Sequence, residues 1–580
     1  MRYLRLLSNS VFGGALAAAY LTVIVLHLNP DLPVSLPAVA PLALTLVLSY
    51  GLHAAAAFHV VSVLRELLLG PLSPGWVSLH FLTWSAALLA GVAALVAWAN
   101  AAGFELALEV SAYEALRRTA FAFGLSAAAF LTLGVLQARW EAGGRVRMAV
   151  VFAVVSVVSV ALPLAWRLPA TDRPIPRLST DPSPTGAVPS PEAPRVTLVL
   201  LDGASLDVVA PAVAEGRLPN FGRLLEGGAS LHLATVRPTQ PETVWASAMT
   251  GKWPPKHKVR SAELHYPLAG RLPIGLLPDY SFAHALVRFG FLRAEPQHAS
   301  ALRAWTLWQI LTSRGLASGI IGLPMTQPPD PLKGFMVSDR FSRSDEPAMA
   351  LDERPTVYPA SLSGQARASL ASGLSPDAFD PALIPATGAG RLAPAADRVY
   401  HDLAERLRSA HDVRLLAVRY PGLDAVGHYY LRYGRPGAID DVTDDERRRF
   451  GQVLDDYYGY VDELLGSAME PLREQDLLLV VSGFGMEPLT FTEGIVERLF
   501  GDVRFSGTHS RAPDGFLFAY GSMVAPGRVR RGALVDIAPT ALYFLGLPVA
   551  RDMDGEPRTD VFAGDFNAER TITLISTYEH

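Results

Sequence analysis

Five apolar stretches, near 10–28, 38–62, 76–101, 118–138 and 147–166, dominate the first third of the chain. Each is close to the length needed to cross a bilayer, about 20 apolar residues. The first alone could pass for a signal peptide, but four more spans behind it predict retained anchors. Short-loop charge sets the orientation. Arg2, Arg5, Arg65, Arg139, Arg145 and Arg147 fall on one side, while the other shows Asp31, the stretch from Glu105 to Glu114, and Arg117 and Arg118. The amino terminus is therefore expected in the cytoplasm, and five crossings put everything after residue 168 outside. Residues 1–168 read as a transmembrane helical anchor with the lipid bilayer as partner. His53, His59 and His80 lie in the spans. Near helix ends they read as interhelical or interfacial contacts rather than as a transport path.

From Pro169 to Arg195 the sequence PATDRPIPRLSTDPSPTGAVPSPEAPR places proline at nearly every third position. That composition predicts an extended, semi-rigid spacer. Beyond it the mix is that of a globular domain. The net charge is −5 with no basic block, so nucleic acid is not an expected partner. Cysteine is absent, so any metal must be held by His, Asp or Glu.

The outer region, 196–560, opens with RVTLVLLDGAS, a buried strand ending in Asp202-Gly203, and closes with the helix VDIAPTALYFLG stopped by Gly546. In Thr239-Gln240-Pro241-Glu242 a hydroxyl, a proline and an acid predict a helix start, with Thr239 as the cap. Free amides and the positive dipole end meet there, a place suited to phosphate or sulfate. Lys252, Lys256 and His257 follow, read either as added positive field or as a solvated face. In LLAVRYPGLDAVGH a strand leads to Asp424 and His428, four apart on one helical face and able to share a cation. His509 lies in a Gly-Thr-His turn. The strand LLLVV of residues 477–481 ends in Ser-Gly-Phe-Gly, with no side chain able to bind metal.

In this order the motifs LLDG, RLPNFGRLLEGGA, TGKWPPKH, SGIIGLPMTQPPDPLKGFMVSDRF, GLDAVGH, GTH, PDGFLFAYG and DIAPTALYFLGLPVARDMDG resemble the alkaline phosphatase superfamily, in its type I phosphodiesterase/nucleotide pyrophosphatase branch. The resemblance spans about 196–557. It implies an α/β fold, a doubly wound, mostly parallel sheet with a helical insertion within 256–410, and a short tail over 561–580. It also implies two divalent metals, usually zinc. One site would fall on Asp424, His428 and His509. The other would use Asp202, a nucleophilic Thr or Ser, and an Asp-His pair, where this chain has Gly483 and Phe484. Ungapped spacing puts Pro241 at the nucleophile position. Thr239 is the favoured candidate and Thr243, one turn inside the helix, the second. Asp202 and Glu242 are candidates to rebuild a second site with oxygen ligands.

The implied activity is a membrane-anchored, extracytoplasmic hydrolase of phosphoester, phosphodiester or sulfate-ester substrates, dependent on divalent metal with an incomplete second site. Two alternatives stand beside it. One is a single-metal or inactive relative that binds a ligand or partner. The other is a transferase acting on the head group of a lipid-linked substrate.

Overall fold

The computed structural model describes residues 1–69, 75–139, 145–167, 193–279, 283–343, 354–373, 392–510 and 513–579. The expected spacer lies outside the described residues up to residue 192. The chain divides into two compact units, one of residues 1–173 with 263–296, the other of 174–262 with 297–580.

Among the described residues, the first unit contains five helices long and apolar enough to cross a membrane: α1 (Arg2–Leu28), α2 (Leu36–Leu69), α3 (Leu79–Gly103), α4 (Val110–Gln137) and α5 (Val146–Ala165). Small residues let them approach. A Cβ on Gly14 would lie 2.1 Å from the Gly51 carbonyl oxygen, so α1 and α2 pack backbone on backbone there. Some hydroxyls inside the spans donate to carbonyls one turn back, as Thr22 does to Ala18 and Ser62 to Phe58, while others join helices, as Tyr20 with Ser159 at 2.9 Å and Thr119 with His27 at 3.0 Å. Of the span histidines, His53 Nδ1 lies 2.6 Å from the Ser49 carbonyl and His80 meets the Trp84 ring edge-on.

Residues 263–296 fall in this helical unit. Among the described residues of this stretch β3 (Glu263–Pro267) pairs antiparallel with β4 (Leu292–Pro296), inside the interval 256–410 within which a helical insertion was expected. Three polar side chains of the helical segment hold the intervening chain. Asn29 accepts from the amides of Gly275 and Leu276 and donates to the Leu276 carbonyl. Thr45 accepts from the Leu268 amide and Asn100 from the Asp279 amide.

The second unit is built on a ten-stranded sheet. Its centre is β1 (Val196–Leu201), parallel to both β8 (Leu415–Tyr420) and β9 (Leu477–Phe484). Beyond β8 come β5 (Ser318–Ile321), β6 (Gly334–Val337) and β7 (Val357–Tyr358). Beyond β9 come β10 (Asp514–Tyr520), antiparallel to its neighbours, then β2 (Ala229–Ala234). The runs SGII and GFMV, from the segment SGIIGLPMTQPPDPLKGFMVSDRF, are thus strands of the main sheet. They are apolar and buried on both faces, the signature of parallel strands. Both faces of β1 are covered: Val199 and Leu201 enter one hydrophobic core, Val196, Leu198 and Leu200 the other. This is the doubly wound α/β arrangement, whose ligands gather at the carboxyl ends of the strands.

Of residues 561–580, expected as a tail, the described ones, 561–579, pack back onto this unit. Leu574–Ile575 pairs with Val549–Ala550, Tyr578 is buried, and Glu579 meets Lys252.

Candidate metal centre

Strand β8 ends at Tyr420, and Pro421 and Gly422 turn the chain into α6 (Gly422–Gly434). Asp397 fixes that turn. Its buried carboxylate accepts from the Gly422 amide at 3.0 Å and from the Tyr457 hydroxyl at 2.8 Å. Burial pushes the Asp397 carboxyl well above its usual range, against the pull of those two donors. Asp424 stands in the first turn of α6, where the helix dipole favours a carboxylate, and His428 follows one turn later on the same face.

His509 comes from the segment after β9. Gly507–Thr508 pairs with Glu487–Pro488, and the Ser506 amide bonds the His428 carbonyl at 2.6 Å. Gly507 allows the close approach, since a Cβ there would lie 2.5 Å from the Gly427 carbonyl oxygen. Asp424, His428 and His509 are so brought together, with one ligand atom from each lying within 4.8 Å of the others.

The donor chemistry suits a divalent cation. His428 Nδ1 lies 2.7 Å from the Gly507 carbonyl; an N–H there leaves the Nε2 lone pair facing Asp424 at 3.6 Å. Burial lowers the His428 pKa, favouring the neutral imidazole that ligation needs. His509 Nε2 also lies 3.6 Å from Asp424. Asp424 Oδ1 and His509 Nδ1 are buried with no hydrogen-bond partner among the described residues, a cost seldom left uncompensated. Phe505 stacks on His428 at 4.4 Å and Phe484 packs on His509 at 4.8 Å, so both rings are walled by aromatics.

Asp202 lies near this cluster but is otherwise engaged. Gly203 puts its Cα so close to α6 that a Cβ would lie 2.8 Å from Asp424 Cα. The Asp202 carboxylate is fully buried. Arg419 bonds one oxygen through Nε at 2.8 Å and through Nη2, and Trp245 Nε1 donates to the other at 2.6 Å. Gly483 and Phe484 close the far flank with apolar atoms. The place of a Gly483 side chain is taken by Val244, and Phe484 is fully buried.

The helix expected to start at Thr239 spans Pro241–Thr250, with Gln240 as its cap, and ends at Gly251 in the left-handed region (φ 67°). Thr239 precedes the cap, and its buried hydroxyl donates to the Val236 carbonyl at 3.0 Å. Thr243 is fully buried with its hydroxyl unpartnered. Glu242, in the first turn, has its carboxyl raised by burial. Lys252 and Lys256 spend their charge elsewhere, Lys252 on Asp552 and Glu579 and Lys256 on Asp554. His257 is buried against Ser247. Neither lysine adds a free positive field. Arg419 was not singled out in the sequence; its signal was a lone cation within the apolar run LLAVRY, where an unpaired charge would be expelled.

A doubly wound sheet with its ligand set at the carboxyl ends of the strands is the architecture of alkaline-phosphatase-like domains. The chain belongs to the type I phosphodiesterase/nucleotide pyrophosphatase family, whose profile matches residues 196–519, over half its length. No curated protein matches it. Two solved structures of murine ectonucleotide pyrophosphatase/phosphodiesterase 5, one of an inactive form in complex with AMP, align over 64% of this chain and 100% of theirs. Their identity to it is 12% and the TM-score 0.37.

Proposed function

We propose that the chain is a membrane-anchored hydrolase of phosphodiester or phosphoanhydride bonds, working on the extracytoplasmic side with a divalent cation, zinc in the first instance, held by Asp424, His428 and His509. The observation that carries the reading is the convergence of these three donors, two of which, Asp424 and His509, each keep a buried polar atom with no partner among the described residues. Five apolar helices and the loop arginines support the anchoring and its direction. When bound, the cation would polarise a phosphoryl oxygen and offset the charge that develops on it.

The protein's own groups do the rest. The Gly507 carbonyl fixes the His428 ring. The amino end of α6 stabilises the Asp424 carboxylate. Phe484 and Phe505 keep water off the outer faces of the two rings, which strengthens the electrostatics between them. The burial of Thr239 and Thr243 favours attack by solvent water over a threonine ester. It also supports a second reading, a domain that holds a phosphorylated ligand without turnover.

The test uses the full chain in detergent with zinc or manganese and bis(p-nitrophenyl) phosphate. Release of p-nitrophenol that is lost together with the metal in His428→Ala and His509→Ala supports the hydrolase. Metal retained without release favours the ligand-binding reading. A chain that retains no metal overturns both.

A further inference from the structure

We infer that Arg419 is the site's second, permanent positive charge, so that the protein carries one exchangeable metal ion and Asp202 is not a ligand to it. This rests on the metal-dependent reading above and narrows it.

The strand register places the arginine. Leu200 of β1 pairs with Arg419 of β8, so the two share a face of the sheet. Leu200 lies in the core that also holds Val244 and Trp245. Asp202, two residues after Leu200, extends along the same face. A long side chain at 419 therefore runs along the sheet toward the end of β1 and meets the Asp202 carboxylate. Its Nε and Nη2 both bond Asp202, and Nη1 lies 3.3 Å from the Gly322 carbonyl. Burial works against the charge. Asp202, Glu242 and Asp339 override it and raise the Arg419 pKa, so the guanidinium stays charged.

The neighbours explain why this charge is needed. Asp202 sits within the negative field of Asp424, and Glu242 within that of Asp202, and acids so placed call for a cation. At Asp202 the cation is already present as part of the chain. Both oxygens of Asp202 are taken, and the side toward β9 offers the Val244 methyl, the Trp245 ring and Phe484, none of them a metal donor. A divalent ion on Asp202 would have to compete with Arg419 for one oxygen or with the Trp245 indole N–H for the other. Unlike a metal ion, the guanidinium cannot be removed by a chelator.

Metal content of the full chain in detergent decides the matter, after dialysis against zinc and separately against manganese. One equivalent per chain is expected, absent in His428→Ala. Asp202→Asn should keep that equivalent with affinity changed less than threefold. Two equivalents in the native chain, or loss of metal or a tenfold weaker affinity in Asp202→Asn, would overturn the inference and leave the hydrolase reading standing. Zero equivalents in the native chain would overturn that reading and this inference with it. Arg419→Met adds a check on the pairing. It should lower the melting temperature, and adding Asp202→Asn to it should restore part of the loss. A melting temperature unmoved by Arg419→Met would overturn the pairing.

Discussion

A Cβ placed on Gly483 would stand 2.3 Å from Cγ1 of Val244, one residue after Thr243 on the helix Pro241–Thr250. The space beside β9 is therefore filled from the opposite element, and a carboxylate cannot be returned there by changing residue 483 alone. Overpacking of a tight core costs about 1–3 kcal/mol. Gly483→Asp is expected to lose at least that much stability, since a buried acid is added to the clash. Val244→Ala in the same chain should recover part of it. Urea unfolding of the three proteins checks this, and equal midpoints for Gly483→Asp with and without the second change would refute the steric account.

Gly422 gives a sharper case. Its Cβ would lie 1.9 Å from the Tyr457 hydroxyl and 2.4 Å from Asp397 Oδ2, the two groups that fix the start of α6. Gly422→Ala should cost about 1–3 kcal/mol and, by shifting Asp424 and His428, weaken metal binding. Tyr457→Phe removes the nearest obstructing atom, so the double variant should bind metal more tightly than Gly422→Ala alone. Metal titration separates the two effects, because a purely global destabilisation would leave the affinity of the folded fraction unchanged.

Much of this site was legible in the sequence because its residues are local. Asp424 and His428 are four apart, and a spacing of four on a helix sets them on one face whatever the rest of the fold does. The apolar LLLVV run, the Gly251 helix stop and the five spans are equally short-range signals. What remained hidden depends on strand register and distant packing. That Asp202 faces Arg419 follows from the pairing of Leu200 with Arg419, 219 positions apart by their numbers, which periodicity does not reveal. Lys252 looked like a free cation until the chain end folded back and set Glu579 against it. Thr239 looked like a cap because the cap position was off by one residue, at Gln240, an error typical of helix boundaries.

Within the helical unit Asn29 is the strongest link to the hairpin segment. Its side chain also bonds the Val25 carbonyl, so each of its polar atoms has a partner in a buried setting. Asn29→Leu would leave the Gly275 and Leu276 amides and the Leu276 carbonyl unpaired, at about 1–3 kcal/mol for a buried polar group left without a partner. Limited proteolysis of the detergent-solubilised chain should then cut within 263–296 several times faster than in the native protein. An unchanged cleavage rate would show that the hairpin is held by other contacts.

The acid limb of stability should carry the mark of His257. Its Nδ1 accepts from the Val259 amide at 3.1 Å, which leaves Nε2 to donate to Ser247 at 3.0 Å. Burial, with Lys252 adding to it, lowers its pKa from 6.5 to about 3. Between those two values the unfolded chain binds a proton that the folded chain refuses. The contribution is therefore complete above pH 6.5 and is lost as pH falls toward 3, at about 1.4 kcal/mol per pH unit. Asn at this position keeps an acceptor for Val259 but does not titrate. Below pH 6 the stability of His257→Asn should thus fall less steeply than that of the native protein, by one proton's worth of slope, while every other titrating group is common to both. Urea midpoints at half-unit steps from pH 7 to pH 4.5 measure the difference, and parallel curves would mean that His257 takes up its proton without unfolding the chain.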